Sequence, residues 1–289
     1  MKARTLFLVK HSFLFALLVA GPLFLCGQAF AQQPNFFVRW QARASATQAL
    51  QPKWMVPVIS PYPMLIQVLR SDFTRQITPT LVHNWNLDTS RGLNLIPFAR
   101  TEVDIFTPPF FEHGDKTADG FGDFSVSAKY RIATGNEKHG NYLLSAFVVA
   151  TVPTGSYKNG ATDASINPTL SGGKGFGRFD VMSNVGGTLP TGGTATTGRT
   201  VVTNTLGQYH LGKYLWPEVE INSTAWYGGT HDGKVQTFLS PGIMAGKFAL
   251  HPGDPHSRSA LAAGVGFQTA VTSYHAYNHS LIFTGRFLF

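Results

Sequence analysis

The stretch Phe124 to Ile132 reads FSVSAKYRI and decides the fold of the chain. Its apolar residues stand at the even positions, and its serine, lysine and arginine residues stand at the odd positions. A period of two is the period of a β-strand, because a helix would scatter both sets around its axis. One face of the predicted strand is therefore apolar, and the other carries Lys129 and Arg131.

Two other segments repeat this separation of charged and apolar residues. Arg100, Glu102 and Asp104 share one face of a predicted strand, and Glu218 and Glu220 share one face of another. Repeated charges do not suit a soluble β-sandwich, whose inner faces are packed and apolar. They suit a transmembrane β-barrel that has a wet interior and a lipid-facing exterior.

The last twelve residues, Asn278 to Phe289, read NHSLIFTGRFLF and alternate in the same way. Arg286 lies on the polar face, and two apolar residues on that face, Ile282 and Leu288, break the rule. A strand that ends a chain on an aromatic residue is typical of the closing strand of a barrel. From this stretch alone, the last strand of a soluble sandwich is an equal alternative.

Residues 1–31 are typical of an export signal, with a basic start, an apolar core and the small-residue site Ala29-Phe30-Ala31. Gly21 and Pro22 break the apolar run, which falls short of the ~20 residues that a spanning helix needs. We therefore exclude 1–31 from the fold as a cleaved signal peptide. The chain's one cysteine, Cys26, lies inside it, so the mature chain has no disulfide or thiolate chemistry.

The composition favours a membrane barrel over a soluble domain. Charged residues make up 13% of the chain, against ~25% in an ordinary soluble domain, because a lipid-facing surface needs no charge. Loss of the signal peptide removes three basic residues and lowers the formal net charge from +8 to +5. The remaining basic residues are scattered, so no nucleic-acid partner is expected.

Short alternating segments separated by Gly, Pro, Asn and Asp fill the rest of the chain. Eleven strands are predicted near 72–87, 92–107, 121–134, 141–153, 163–172, 178–190, 199–211, 214–228, 234–248, 258–273 and 278–289. Single-chain bacterial barrels have even strand counts, so a further strand is expected within 54–70. The predicted fold is an all-β, antiparallel, up-and-down transmembrane barrel of about 12 strands, with 10 or 14 as alternatives.

The chain is thus predicted to contain the signal peptide 1–31, an N-terminal segment 32–53 and a barrel 54–289. The segment 32–53 is interpreted as a flexible lead, a short helix or a plug of the lumen. If Phe289 ends at the periplasmic rim, the outer connections are 108–120, 154–162, 191–198, 229–233 and 274–277. The segment 251–257 is then an unusually long inner turn.

Several short motifs resemble the family of outer-membrane proteins grouped under the "MetA pathway of phenol degradation". They are Gly120-Phe121-Gly122-Asp123, Ser127-Ala128-Lys129-Tyr130-Arg131, Thr151-Val152-Pro153-Thr154-Gly155, Thr188-Leu189-Pro190-Thr191-Gly192 and Pro217-Glu218-Val219-Glu220. The likeness spans roughly 92–289. The resemblance implies a barrel in outer-membrane lipid that passes aromatic or other hydrophobic small molecules. Phe289 resembles the terminal aromatic residue used by the barrel-assembly machinery, an expected partner.

The sequence predicts no catalytic residue, metal or cofactor. His251 and His256, or His275 and His279, lack the cysteine or ordered carboxylate partners of a metal site. An outer-membrane lipid hydrolase is the enzymatic alternative, but no nucleophile motif such as G-x-S-x-G is present.

The predicted function is passive uptake of a small solute through the barrel. Side chains of mixed charge would line the lumen and set its selectivity. The predicted lumen residues are Arg100, Glu102, Asp104, Lys129, Arg131, Glu218, Glu220 and Arg286. Structural ion pairs inside a sealed barrel are the alternative role for these residues, and an adhesion barrel acting through its outer loops is a third class of function.

Overall fold

A computed structural model describes residues 35–88, 92–254 and 257–289. The predicted signal peptide and His256 lie outside these described residues. The chain divides after Gln41 into two compact units, and the unit Ala42–Phe289 contains all the described strands. Helix α1 covers Phe36–Ala49, and a short helix α2 covers Thr194–Thr197.

The strands are β1 (Val68–Ile77), β2 (His83–Leu87), β3 (Gly92–Phe98), β4 (Thr101–Phe106), β5 (Phe110–Glu112), β6 (Gly120–Phe121), β7 (Phe124–Gly135), β8 (Tyr142–Val152), β9 (Ser165–Phe176), β10 (Phe179–Pro190), β11 (Arg199–Tyr209), β12 (Leu215–Tyr227), β13 (Val235–Ala249), β14 (Ala260–Ala270) and β15 (His279–Leu288). Each pairs antiparallel with its neighbours.

The sheet closes on itself because β15 pairs with β1 from Val68↔Leu288 to Ile77↔His279. The closed ring runs through β1, β3, β4 and β7 to β15, while β2, β5 and β6 extend it at one end. Among the described residues the ring therefore has twelve strands, and the predicted antiparallel twelve-strand barrel is confirmed. We call the end of the barrel at which β15 finishes the Phe289 end.

The first strands differ from their predicted positions. The predicted strand 72–87 contains a turn at 78–82 between β1 and β2, and the predicted strand 92–107 contains the turn Ala99-Arg100 between β3 and β4. Within 54–70, only Val68 to Arg70 form strand. Neither turn carries a glycine, although Pro79 lies in the first turn and Pro97 lies two residues before the second.

The side-chain alternation in β7 is the reverse of that in a soluble protein. Lys129 and Arg131 are 4% and 3% exposed, whereas Tyr130 and Ile132, which alternate with them, are 50% and 44% exposed. Large apolar residues are exposed in the same way around the ring, among them Phe73, Val148, Leu170, Val185, Val201, Ile221, Leu261 and Phe283. A continuous apolar exterior of this kind is the surface that a barrel presents to lipid.

The connections alternate between the two ends of the barrel. The segments 78–82, 113–119, 153–164, 191–198, 228–234 and 271–278 lie opposite the Phe289 end, as the strand order requires. The segments 99–100, 136–141, 177–178, 210–214, 250–254 and 257–259 lie at the Phe289 end.

Candidate functional site inside the barrel

Residues 51–67, which we call the inserted segment, occupy part of the barrel interior. The segment contains Pro52, Pro57, Pro61 and Pro63 and pairs with no strand. Its polar contacts reach β4, β7, β8, β10, β12 and β15, which lie on all sides of the closed ring. Only a position within the ring permits contacts with all of these strands.

The inserted segment is a loop that enters and leaves at the same end. Its two limbs are joined by Gln51, whose side-chain amide donates to the Leu65 carbonyl at 2.9 Å and whose side-chain oxygen accepts from the Leu65 amide at 3.0 Å. Trp54 near the base donates to Asn141, in a turn at the Phe289 end, at 3.1 Å. The tip lies at Ser60 and Pro61. Residues 51–60 form the ascending limb, and residues 61–67 form the descending limb, which enters β1 at Val68.

Two glutamates of β12 hold the ascending limb. Glu218 Oε1 accepts from the Val58 amide at 2.6 Å. Glu220 accepts from the Ile59 and Ser60 amides at 2.8 and 2.7 Å and from the Ser60 hydroxyl. Carboxylates form stronger bonds with backbone amides than neutral acceptors do, so these two residues fix the tip of the loop.

Two arginines hold the carbonyl groups of the same limb. Arg286 of β15 donates to the Val56 and Pro57 carbonyls. Arg70 of β1 donates to the Val58 carbonyl at 2.6 Å and pairs with Asp72 at 2.9 Å. The ascending limb is thus bound by anions at its amides and by cations at its carbonyls.

The descending limb is bound by a second charged pair. Lys129 Nζ lies 2.6 Å from Glu102 Oε1, 3.2 Å from the Met64 carbonyl and 4.3 Å from the centre of the Tyr62 ring. Glu102 also accepts from the Ile66 amide. Because both charges are buried and bonded to the same limb, neither is available to a mobile ion in this arrangement.

The remaining predicted lumen residues have other positions. Arg131 is buried at the Phe289 end, where it donates to the Thr47 carbonyl near the end of helix α1 at 2.7 Å and to the Ala99 carbonyl at 3.1 Å. Asp104 is 4% exposed, and its Oδ1 has no hydrogen-bond partner among the described residues. Arg100 is exposed in the turn between β3 and β4, next to Arg131.

Apolar packing and interior glycines complete the fit of the loop. Met55 and Val58 pack with Trp216, Met244 and Ile282 in one buried cluster. Trp54, Val56, Met64 and Ile66 pack with Leu143, Met182 and Leu206 in another. A Cβ atom built on Gly266 would lie 3.1 Å from a Val58 methyl group, and one on Gly242 would lie 3.3 Å from the other.

Above the tip, a row of three amides crosses the interior, and we call Asn184, Asn204 and Asn222 the amide row. Asn204 donates to Asn184 at 2.7 Å, and Asn222 donates to Asn204 at 2.9 Å. The row contacts the loop because Asn184 donates to the Pro61 carbonyl and Asn222 donates to the Ser60 hydroxyl.

Beyond the amide row, toward the end opposite Phe289, the strand alternation places only uncharged residues on the interior face of the neighbouring strands. They include Thr74, Gln76, Thr151, Asn167, Thr169, Thr200, Thr224 and Gln236. Aromatic rings line one side: Phe238 stacks on Tyr277 at 4.4 Å, and Trp226 meets Tyr274 edge-on at 5.5 Å. Burial raises the pKa of the loop residue Tyr277 to about 12, so its phenol stays protonated and donates to Gln268 at 2.6 Å.

Sequence reasoning missed Arg70, Asp72, the amide row and the path of the inserted segment. One signal was present: a run rich in both proline and large apolar residues cannot form a central strand and yet requires burial. The two exceptions noted in the closing strand, Ile282 and Leu288, were a second signal, because both pack against the apolar clusters of the loop.

No group of three or more His, Cys, Asp or Glu side chains that could hold a metal ion occurs in the described part of the chain. No described helix is long and apolar enough to cross a membrane. A depression of about 490 Å³ on the outer wall is lined mainly by outward-facing residues such as Leu69, Leu261 and Phe287.

The closed ring, its apolar exterior and its polar interior define the class of the protein, which is a membrane-embedded β-barrel. The chain belongs to the family described as "Putative MetA-pathway of phenol degradation", whose model matches residues 68–281. The predicted family is thereby confirmed. The match begins at the first residue of β1, so the inserted segment lies outside it.

A solved structure has the same fold. An outer membrane channel from Pseudomonas putida F1 superposes with a TM-score of 0.54 over 82% of this chain and 100% of that chain, at 15% sequence identity. No curated protein matches the chain.

Proposed function

We propose that the protein is an outer-membrane channel for passive uptake of small, uncharged aromatic or hydrophobic molecules, and that the inserted segment is its plug. Membership of a family described by phenol degradation supports the solute class, and the channel with the same fold supports the general role. Phe289 is then the periplasmic end and the residue presented to the barrel-assembly machinery.

The observation that carries the proposal is the division of the interior at the amide row. On one side, the charges expected to select solutes hold the plug instead. On the other side, the interior is lined by hydroxyl and amide groups and by aromatic rings. An aromatic ring stacks favourably on such rings, and no fixed charge there must be neutralised by the solute.

In this proposal the plug regulates access, and the charged residues predicted to select solutes hold the plug in place. Glu218, Glu220, Arg70 and Arg286 would have to release the ascending limb before the interior becomes continuous. A loop that enters and leaves at one end can withdraw without unthreading the chain.

Uptake of labelled phenol and labelled benzoate tests the solute class. We expect cells that carry the protein to take up phenol faster than cells without it, and to show a smaller gain for benzoate, which has a similar shape and a negative charge. Trp226→Ala should reduce the gain for phenol, while Tyr157→Ala, an exposed loop aromatic, serves as the control.

Equal uptake with and without the protein would overturn the proposal. A non-conducting structural or adhesion barrel would then be the better account, because a filled lumen is also compatible with that role. Loss of cell attachment after deletion of 110–119, with phenol uptake unchanged, would specifically favour adhesion.

A further inference from the structure

The turns at the Phe289 end carry a ring of exposed basic side chains. Arg100, Lys138, Arg178 and Lys213 lie in four successive turns, and we call these four residues the basic rim. The one acidic residue in those four turns, Glu137, accepts from the Lys53 amide at 2.7 Å. The basic rim therefore carries a net positive charge.

A belt of aromatic side chains lies next to the basic rim on the outer wall. Phe176 faces Phe179 across one turn, and Phe179 faces Tyr209 on the following strand. These three rings, together with Tyr142 and Tyr214, are exposed. Aromatic belts mark the level of the lipid head groups in membrane barrels, so the basic rim lies at or just beyond that level.

One depression of about 240 Å³ opens within this region, at the end of β7. Arg100, Arg131 and Tyr142 line it, together with Ile132, which is 44% exposed on the lipid-facing wall. The Arg131 amide donates to the Arg100 carbonyl at 2.8 Å, which keeps the two residues side by side. Among the described residues, neither arginine side chain forms an ion pair with a carboxylate.

We propose that the basic rim binds the head groups of anionic phospholipids, and that the depression at Arg100 receives the phosphate of one such lipid. The exposed Arg100 guanidinium, which has no carboxylate partner among the described residues, matches the charge of a phosphate, whereas the Arg131 guanidinium is buried and held by the Thr47 and Ala99 carbonyls. A free phosphate has the same chemistry, but exposed Ile132 and Tyr142 add apolar contact that only the attached lipid would use. This inference is independent of the solute that the barrel conducts.

Native mass spectrometry of the full-length mature barrel in neutral micelles tests the proposal. The probes are short-chain phosphatidylglycerol, short-chain phosphatidylcholine and inorganic phosphate. We expect phosphatidylglycerol to bind in preference to phosphatidylcholine. Arg100→Gln should weaken phosphatidylglycerol binding about fivefold, because each basic residue at an anionic lipid surface contributes ~1 kcal/mol of binding free energy. Inorganic phosphate should not displace the lipid at matched concentration.

The matched control is Lys158→Gln, which removes an exposed cation from a loop at the opposite end. Its lipid binding should equal that of the wild type. Arg100 lies in an exposed turn, so the variant should retain the mobility shift of a folded barrel on gels, which serves as the check on folding. Equal binding of both lipids, an unchanged affinity in Arg100→Gln, or displacement by inorganic phosphate would each overturn the proposal.

Discussion

Gly266 is an interior residue at which the fit of the plug can be tested selectively. The three atoms nearest to a Cβ atom built there are two Val58 atoms, at 3.1 and 3.7 Å, and the Pro241 carbonyl oxygen at 3.7 Å. We expect Gly266→Leu to push Val58 and the tip of the plug aside, and to raise solute flux in liposome-swelling assays. Gly285→Leu on the neighbouring strand is the control, because nothing lies within 4 Å of its Cβ position. Equal swelling rates for both variants would contradict a tight fit.

Lys129 is the residue whose loss should cost the most stability. Lys129→Met leaves Glu102 buried without its cation, which costs about 3–5 kcal/mol of the free energy of unfolding. Urea unfolding in micelles measures this loss, with Lys116→Met in an exposed loop as the control. The double variant Lys129→Met/Glu102→Gln should recover much of the loss, because Glu102 is then no longer a buried charge without its cation. A single variant as stable as the control would contradict the role of the pair.

At the scale of elements, the plug should behave as a unit that is fixed by β12. We expect the Val58, Ile59 and Ser60 amides to exchange hydrogen slowly in the wild type. In Glu218→Gln/Glu220→Gln they should exchange about tenfold faster or more, since a hydrogen bond to a charged group contributes ~1.5–3 kcal/mol. Amides of the β12 ladder provide the internal reference. Unchanged protection of the three amides would show that the glutamates do not hold the loop.

The elements also show what the sequence could reveal. A strand of period two is visible in β7 because both of its faces are uniform along its length, and the closing strand is visible despite the apolar Ile282 and Leu288 on its polar face. The reversals at 78–82 and at Ala99-Arg100 contain no glycine, and Pro79 and Pro97, which lie in or just before them, can also occur in an edge strand. The strand expected within 54–70 is mostly absent, whereas the predicted strand 92–107 contains two strands of the ring, β3 and β4. The two errors cancel, and the predicted total of twelve was correct.

The plug could not be predicted because its partners are distant in sequence. Val58 and Glu218 are 160 residues apart, and Arg286 lies 230 residues from Val56. The sequence indicated that charged residues face the interior, but an interior charge can face water, an ion or another segment. Only the path of 51–67 through the barrel shows that most of the predicted lumen charges bind backbone atoms.

At the scale of the whole molecule, membrane embedding predicts that the two faces of one strand respond differently to a charge. Ile221 is 49% exposed on the outer wall of β12, and Thr224 lies on the interior face of the same strand. Ile221→Arg should lower the stability of the barrel in bilayers by ~2–4 kcal/mol, and Thr224→Arg should lower it much less. Equilibrium unfolding from lipid vesicles compares the two variants, and equal losses would contradict a lipid-facing outer wall.

The central claim is that the inserted segment closes a channel, and single-channel recording in planar bilayers tests it most directly. The wild type should open rarely, because Glu218 and Glu220 bind the backbone amides at the tip of the plug. Glu218→Gln/Glu220→Gln should open far more often at the same voltage, while the control Glu112→Gln, an exposed residue at the end of β5, should match the wild type. If the double variant and the wild type conduct equally, either because both open often or because neither opens, the account is contradicted.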